Sequence, residues 1–267
     1  MKQGILVVSF GTSYPQSRKA DIESIEQAVK EHFPGIEVRR AFTSRRIIRK
    51  LKERDGLVID NPEEALLRAA EDGIRDLAVQ PTHMMDGFEY MDLVKLLEAH
   101  QTQFDHLVLG RPLLSSDADY QAVVQAVTEA AGCYDDGETA ICLMGHGTEA
   151  GANQVYEAFQ KELRKAGFEN YYIGTVEAEP SVKHVAAAVQ SAGKYKRVVL
   201  KPFMVVAGDH ANRDMAGEEE DSWKSIFQAE GYPVECILEG LGQLPAIQEI
   251  YTAHAREAAR LAGIQSF

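Results

Sequence analysis

The chain has 267 residues, 45% of them hydrophobic, which suits one large domain or two medium ones, each with its own core. A formal net charge of −13 argues against a nucleic-acid binder, since such proteins carry a basic face. Cys133, Cys142 and Cys236 are scattered and form no C-x-x-C pair, which argues against a disulfide framework or a thiolate zinc site and fits a reducing compartment.

The first apolar run, ILVVSF (5–10), is too short for a secretory signal or a membrane span and predicts a buried strand. A cytoplasmic protein with no membrane partner is therefore expected. Met1 to Ala20 contains no acidic residue, although the protein as a whole is acidic. The loop FGTSYPQSR, with Phe10, Gly11, Thr12 and Ser13 at its start, offers backbone NH groups and hydroxyls to an anion. A helix follows over 21–33 and a strand over 35–42. The basic island RRAFTSRRIIRKLKER (39–54) comes next. Arg49, Lys50 and Lys52 suit a solvated helix face, whereas Arg45 and Arg46, just past a strand end, suit carboxylate binding.

A helix over 62–73, a strand over 76–81, a helix over 87–100 and a strand over 106–112 complete the first half. The second half predicts strands over 139–145, 170–177, 197–203 and 233–240, with helices over 153–167, 181–193 and 221–231 between them. Such alternation predicts an α/β protein with parallel sheets flanked by helices. Four strands in each half suggest a duplication, and two gapless matches agree. VQPTHMMDGFE (79–89) lies over LKPFMVVAGDH (200–210), pairing Pro81 with Pro202 and Gly87 with Gly208. VVSFGTS (7–13) lies over the last seven residues of CLMGHGTE (142–149), pairing Gly11-Thr12 with Gly147-Thr148. The expected domains are 1–130 and 131–267, with the last helix packing back on the first, and a ligand cleft between strand ends of the two halves.

His146 stands between Gly145 and Gly147 at a strand end. Four roles are open to it: metal ligand, phosphoryl acceptor, proton acceptor or turn residue. The phosphoryl role needs an arginine beside the histidine, where Met144 and Gly145 stand instead. His210 closes another strand-end segment, with Asp209 and Asp214 nearby, and Glu177 ends the strand between them. Two imidazoles and a carboxylate suit a divalent first-row ion such as Co²⁺, Fe²⁺, Ni²⁺ or Zn²⁺. In the first half, Glu89 occupies the position of His210 in the aligned pair. His32, His100, His106, His184 and His254 fall on helices or element ends and suit structural or solvated roles. The acidic run 217–223 suits a solvated helix start. Dinucleotide, Walker A and G-x-S-x-G motifs are all absent from the sequence.

LVVSFGTSY, RAFTSRRIIRKLKERDG, Gly87 to Tyr90, MGHGTE, GTVEAEP and PFMVVAGDHANRDMAG followed by DSW resemble the anaerobic sirohydrochlorin cobaltochelatases of the CbiK type, relatives of ferrochelatase. The resemblance implies two similar domains, each with a four-stranded parallel sheet and the macrocycle between them. It implies ATP-independent insertion of Co²⁺, as substrate metal, into sirohydrochlorin or precorrin-2, with no organic cofactor and no nucleic-acid partner. It carries the metal-site histidines onto His146 and His210, a further ligand onto Glu177, and a cleft carboxylate for proton removal or ring orientation onto Glu89. Phe10 to Ser13, Arg45, Arg46 and Gly87 fall on the substrate side. Insertion of Fe²⁺ or Ni²⁺, a non-catalytic tetrapyrrole or metal carrier, and a homo-oligomeric state stay open at this point.

Overall fold

Strands buried on both faces need helices on both, and parallel strands need long crossovers; the sequence supplies both. The computed structural model describes residues 2–148 and 151–264. In chain order the elements of the first half are β1 (Lys2–Ser9), a short turn α1 (Pro15–Ser17), α2 (Glu23–His32), β2 (Glu37–Phe42), α3 (Arg45–Asp55) and α4 (Pro62–Glu71). They continue with β3 (Ile74–Pro81), α5 (Phe88–His100), β4 (His106–Leu109) and α6 (Asp117–Ala130). The second half holds β5 (Thr139–Gly145), α7 (Gln154–Lys165), β6 (Tyr171–Thr175) and α8 (Val182–Ala192). It ends with β7 (Arg197–Pro202), α9 (Trp223–Ala229), β8 (Val234–Cys236) and α10 (Pro245–Leu261).

The strands form two sheets of four, ordered β2-β1-β3-β4 and β6-β5-β7-β8, and every pairing is parallel. One order becomes the other by adding four to each number, so the duplication seen in the sequence is a duplication of topology.

The first compact unit runs to Ser115 and resumes at Pro245. On one face of its sheet Leu6, Val8, Leu77 and Val79 pack with Leu66 of α4 and Leu93 and Leu97 of α5. On the other, Ile5, Val7 and Ala78 meet Val29 of α2 and Ala255, Ala258 and Ala259 of α10. Each fully buried aliphatic side chain contributes about 1.5–3 kcal/mol, so β1 is pinned by both layers. Asn61 starts α4 with a reciprocal capping box: its side chain accepts from Glu64 N (3.1 Å) and Glu64 accepts from Asn61 N (2.9 Å).

The second unit runs from Ser116 to Leu244. Cys142, Met144, Val198 and Leu200 pack with Val185 and Val189 of α8 and with Trp223 and Phe227 of α9. Phe203, just past β7, stacks with Phe159 of α7 at 4.3 Å between ring centroids. Helix α6 belongs to this unit, so the units divide after Ser115 and not at residue 130. It packs on α7, and Thr128 O accepts from the Tyr171 hydroxyl of β6 (3.4 Å). Among the described residues no helix is long and apolar enough to cross a membrane.

Candidate metal centre

Strand β5 ends in a turn whose glycines are dictated by packing. A Cβ on Gly145 would overlap the Tyr156 ring of α7. Gly147 has φ 88°, and a Cβ there would lie 2.8 Å from Ala178 N and 2.9 Å from Thr175 Oγ1. His146 sits between these two fixed points with about half of its side chain exposed. Its Nδ1 donates to Gly147 O (2.8 Å), because a carbonyl only accepts, and lies 3.6 Å from Glu177 Oε2. The His146 carbonyl accepts from Glu177 N (2.9 Å) and Val176 N (3.2 Å), which ties the loop after β6 to the loop after β5. Gly147 N donates to the buried Tyr156 hydroxyl (3.1 Å).

His210 arrives from the loop after β7 and opens a five-residue π turn, Ala211–Met215. Ala211 and Met215 are fully buried and anchor that turn. The His210 Nδ1 lies 2.7 Å from Asp214 Oδ2. The rings of His146 and His210 meet edge to face, with centroids 4.5 Å apart and planes at 84°. One ligand atom from each of His146, Glu177 and His210 lies within 4.8 Å of the others. Two imidazole nitrogens and one carboxylate oxygen so close together can hold a first-row divalent ion while leaving coordination positions open.

The remaining sequence candidates lie in the first unit. Phe10 is half exposed at the end of β1, and Gly11 (φ 94°) turns the chain under Phe42. The hydroxyls beyond it face inward. Thr12 is 2% and Ser13 7% exposed, Thr12 Oγ1 accepts from Tyr14 N (3.2 Å), and Ser13 O accepts from Arg54 (2.6 Å). The Thr12 hydroxyl is thus engaged within the loop, whereas the bond from Arg54 uses the Ser13 backbone carbonyl. Arg45 and Arg46 form the exposed first turn of α3, whose Ser44 cap accepts from Ile47 N (3.4 Å).

Gly87 is the N-cap of α5, and Glu89 stands in its first turn. Glu89 Oε2 lies 3.2 Å from His83 Nε2, and His83 is nine-tenths buried. The His83 carbonyl accepts from Leu113 N (2.9 Å) and from the Tyr251 hydroxyl of α10 (3.2 Å), so the pair rests on a rigid base. The sequence places His83 near Glu89 and Asp214 near His210 but gives neither neighbour a role; the i,i+4 spacing of His210 and Asp214 was the available signal for the second contact. His100 (Nδ1 to Leu96 O, 2.9 Å), His106 (to Asp76, 2.9 Å) and His184 (to Glu179, 2.6 Å) have local partners. Glu149 lies outside the described residues.

Two sheets of one parallel topology, one carrying a His₂–carboxylate cluster at its strand ends, have counterparts among metal chelatases. A family model for cobalt chelatases of the CbiK type matches residues 3–260, and the chain belongs to that family. It is 38% identical over 262 residues to the sirohydrochlorin cobaltochelatase of Salmonella typhimurium, covering 98% of each chain. It is 32% identical over 263 residues to the sirohydrochlorin cobaltochelatase CbiKC of Nitratidesulfovibrio vulgaris, covering 96% of this chain and 90% of the other. The fold is shared with the sirohydrochlorin chelatase SirB of Bacillus subtilis subspecies spizizenii, solved in complex with cobalt. That match has a TM-score of 0.67 at 15% identity, covering 97% of this chain and 96% of that one.

Proposed function

We propose that the chain inserts Co²⁺ into sirohydrochlorin without ATP, giving cobalt-sirohydrochlorin in anaerobic cobalamin biosynthesis. Family membership and the names of two full-length relatives support the activity. The observation that carries the site assignment is the three-donor cluster of His146, Glu177 and His210.

Insertion exchanges one divalent ion for two pyrrole N–H protons, so the ion must be held loosely and a base must stand beside it. In this reading His146 and His210 bind Co²⁺ through Nε2 and Glu177 through a carboxylate oxygen. The ring nitrogens then replace these ligands one at a time, and a released histidine accepts the two pyrrole protons in succession, passing the first to solvent before taking the second. Glu89, backed by His83, is assigned to proton removal or ring orientation. Arg45, Arg46, Gly87 and the Phe10–Ser13 turn are assigned to the carboxylated macrocycle, the turn acting through its backbone NH groups and the Phe10 ring. With all three cysteines free, the reaction suits a reducing, cytoplasmic setting.

The test follows the macrocycle absorbance after mixing protein, Co²⁺ and sirohydrochlorin. His146→Ala is expected to bring insertion down to the spontaneous rate while macrocycle binding persists. Near-normal insertion by that variant would remove His146 from the mechanism. A wild-type protein that binds the ring without accelerating insertion would be a carrier. Parallel runs with Fe²⁺ and Ni²⁺ rank the metals, because this donor set discriminates weakly among them.

A further inference from the structure

We propose that Asp214 is a positioning residue that fixes His210 as an Nε2 metal ligand. The inference rests on the metal-site reading above and concerns how one ligand of that site is prepared. His210 and Asp214 are four residues apart across a π turn, and Nδ1 and Oδ2 are 2.7 Å apart. A carboxylate oxygen accepts, so the imidazole proton sits on Nδ1 and the lone pair on Nε2. The same bond resists a ring flip, which would exchange the two nitrogens and break the contact to Asp214.

The turn that presents Asp214 is itself anchored. Ala211 and Met215 are fully buried on either side, and Ala216 N donates to Ala211 O (3.2 Å). A Cβ on Gly217 would overlap the Arg213 carbonyl, so the close return of the chain at that point requires glycine. Asp214 does not join the three-donor cluster and acts only through His210. The two histidines are thereby held differently. His210 donates to a carboxylate, and His146 donates to the Gly147 carbonyl. An anionic acceptor makes the stronger bond and raises the donor strength of the opposite nitrogen, so His210 becomes the more firmly oriented ligand.

The experiment compares wild type, Asp214→Ala and Asp214→Glu. Asp214 is 45% exposed, so truncation leaves the core of the unit intact. Long-range ¹H–¹⁵N spectra of the metal-free protein report which nitrogen of His210 carries the proton. Titration with Co²⁺ alone, followed by its visible absorption, reports affinity. The expected results are an Nδ1–H tautomer in the wild type, a mixed tautomer in Asp214→Ala, and a Co²⁺ dissociation constant raised about 10–100-fold. Asp214→Glu, which keeps the carboxylate, should recover most of that loss. An Nε2–H tautomer in the wild type, or Co²⁺ affinity within about twofold of wild type in Asp214→Ala, overturns the proposal. Failure of the function reading shows separately, as a wild type that does not accelerate cobalt insertion, while the tautomer spectrum still decides the role of Asp214.

Discussion

Gly147→Ala is the substitution whose effect the structure specifies most closely. Two costs add. The residue sits at φ 88°, where an L side chain pays about 1–2 kcal/mol. The new methyl would also lie 2.8 Å from Ala178 N and 2.9 Å from Thr175 Oγ1, and overpacking of this kind costs about 1–3 kcal/mol. Neither neighbour can move alone. Thr175 Oγ1 donates to Ala178 O (2.5 Å) and accepts from Ala178 N (3.2 Å), so the hydroxyl and the backbone that follows Glu177 shift together. The sum is about 2–5 kcal/mol. At roughly 4 °C per kcal/mol for a unit of this size, its melting transition should fall by about 8–20 °C. Relief of the strain must shift the backbone at Ala178, next to Glu177, so Co²⁺ affinity should fall in the variant that still folds at low temperature. Calorimetry and a Co²⁺ titration at 10 °C measure the two effects. A melting point within about 2 °C of wild type together with unchanged affinity would refute the claim that Gly147 sets the geometry of this turn.

Tyr251→Phe should destabilise the first unit by about 1–2 kcal/mol in urea denaturation, because the buried hydroxyl donates to Thr82 O (2.9 Å) and His83 O (3.2 Å). A change below about 0.3 kcal/mol would mean that water replaces the bond at no cost. Thiol labelling at pH 8 should modify exposed Cys133 first and half-buried Cys236 more slowly, since burial raises the Cys236 thiol pKa. Cys142, fully buried with its thiol pushed far up by desolvation, should react only on unfolding; labelling at the rate of Cys133 would contradict its burial.

The parallel sheets were legible because strands buried on both faces read as unbroken apolar runs, and TAICLMG matches β5 residue for residue. The edge strand was read too long: 233–240 shrinks to Val234–Cys236, because bonding to β7 runs only from Pro233 O, which accepts from Val198 N, to Ile237 N, which donates to Leu200 O. Sequence placed the domain boundary by counting strands, but α6 belongs with the helices it packs on, and helix periodicity does not say which sheet a helix covers. The His146, Glu177 and His210 grouping was reachable from strand ends, since topology alone brings those ends together. The inward turn of Thr12 and Ser13 was not, because it depends on which side of a glycine bend each side chain leaves.

The repeat extends further than its few identical residues, and the backbone shows why. Thr43 N donates to Ser9 O and Ser44 N to Phe10 O in the first unit, as Val176 N donates to Gly145 O and Glu177 N to His146 O in the second. Thr82 N donates to Val8 O as Phe203 N donates to Met144 O, and Met91 N donates to Gly87 O as Asn212 N donates to Gly208 O. These bonds put Phe10 in register with His146, Ser44 with Glu177, and Glu89 with His210. Both units therefore build the same three strand-end positions, and Gly11 and Gly147 share a positive φ because both turns need it. Residues that the backbone demands, glycine and proline, persist in both copies. Residues that face outward were free to diverge, and one unit carries His, Glu and His where the other carries Phe, Ser and Glu. Phenylalanine has no ligand atom, so the first unit cannot repeat the three-donor cluster. The three-donor arrangement thus follows from side-chain choice at fixed positions, on a scaffold that is the same in both halves.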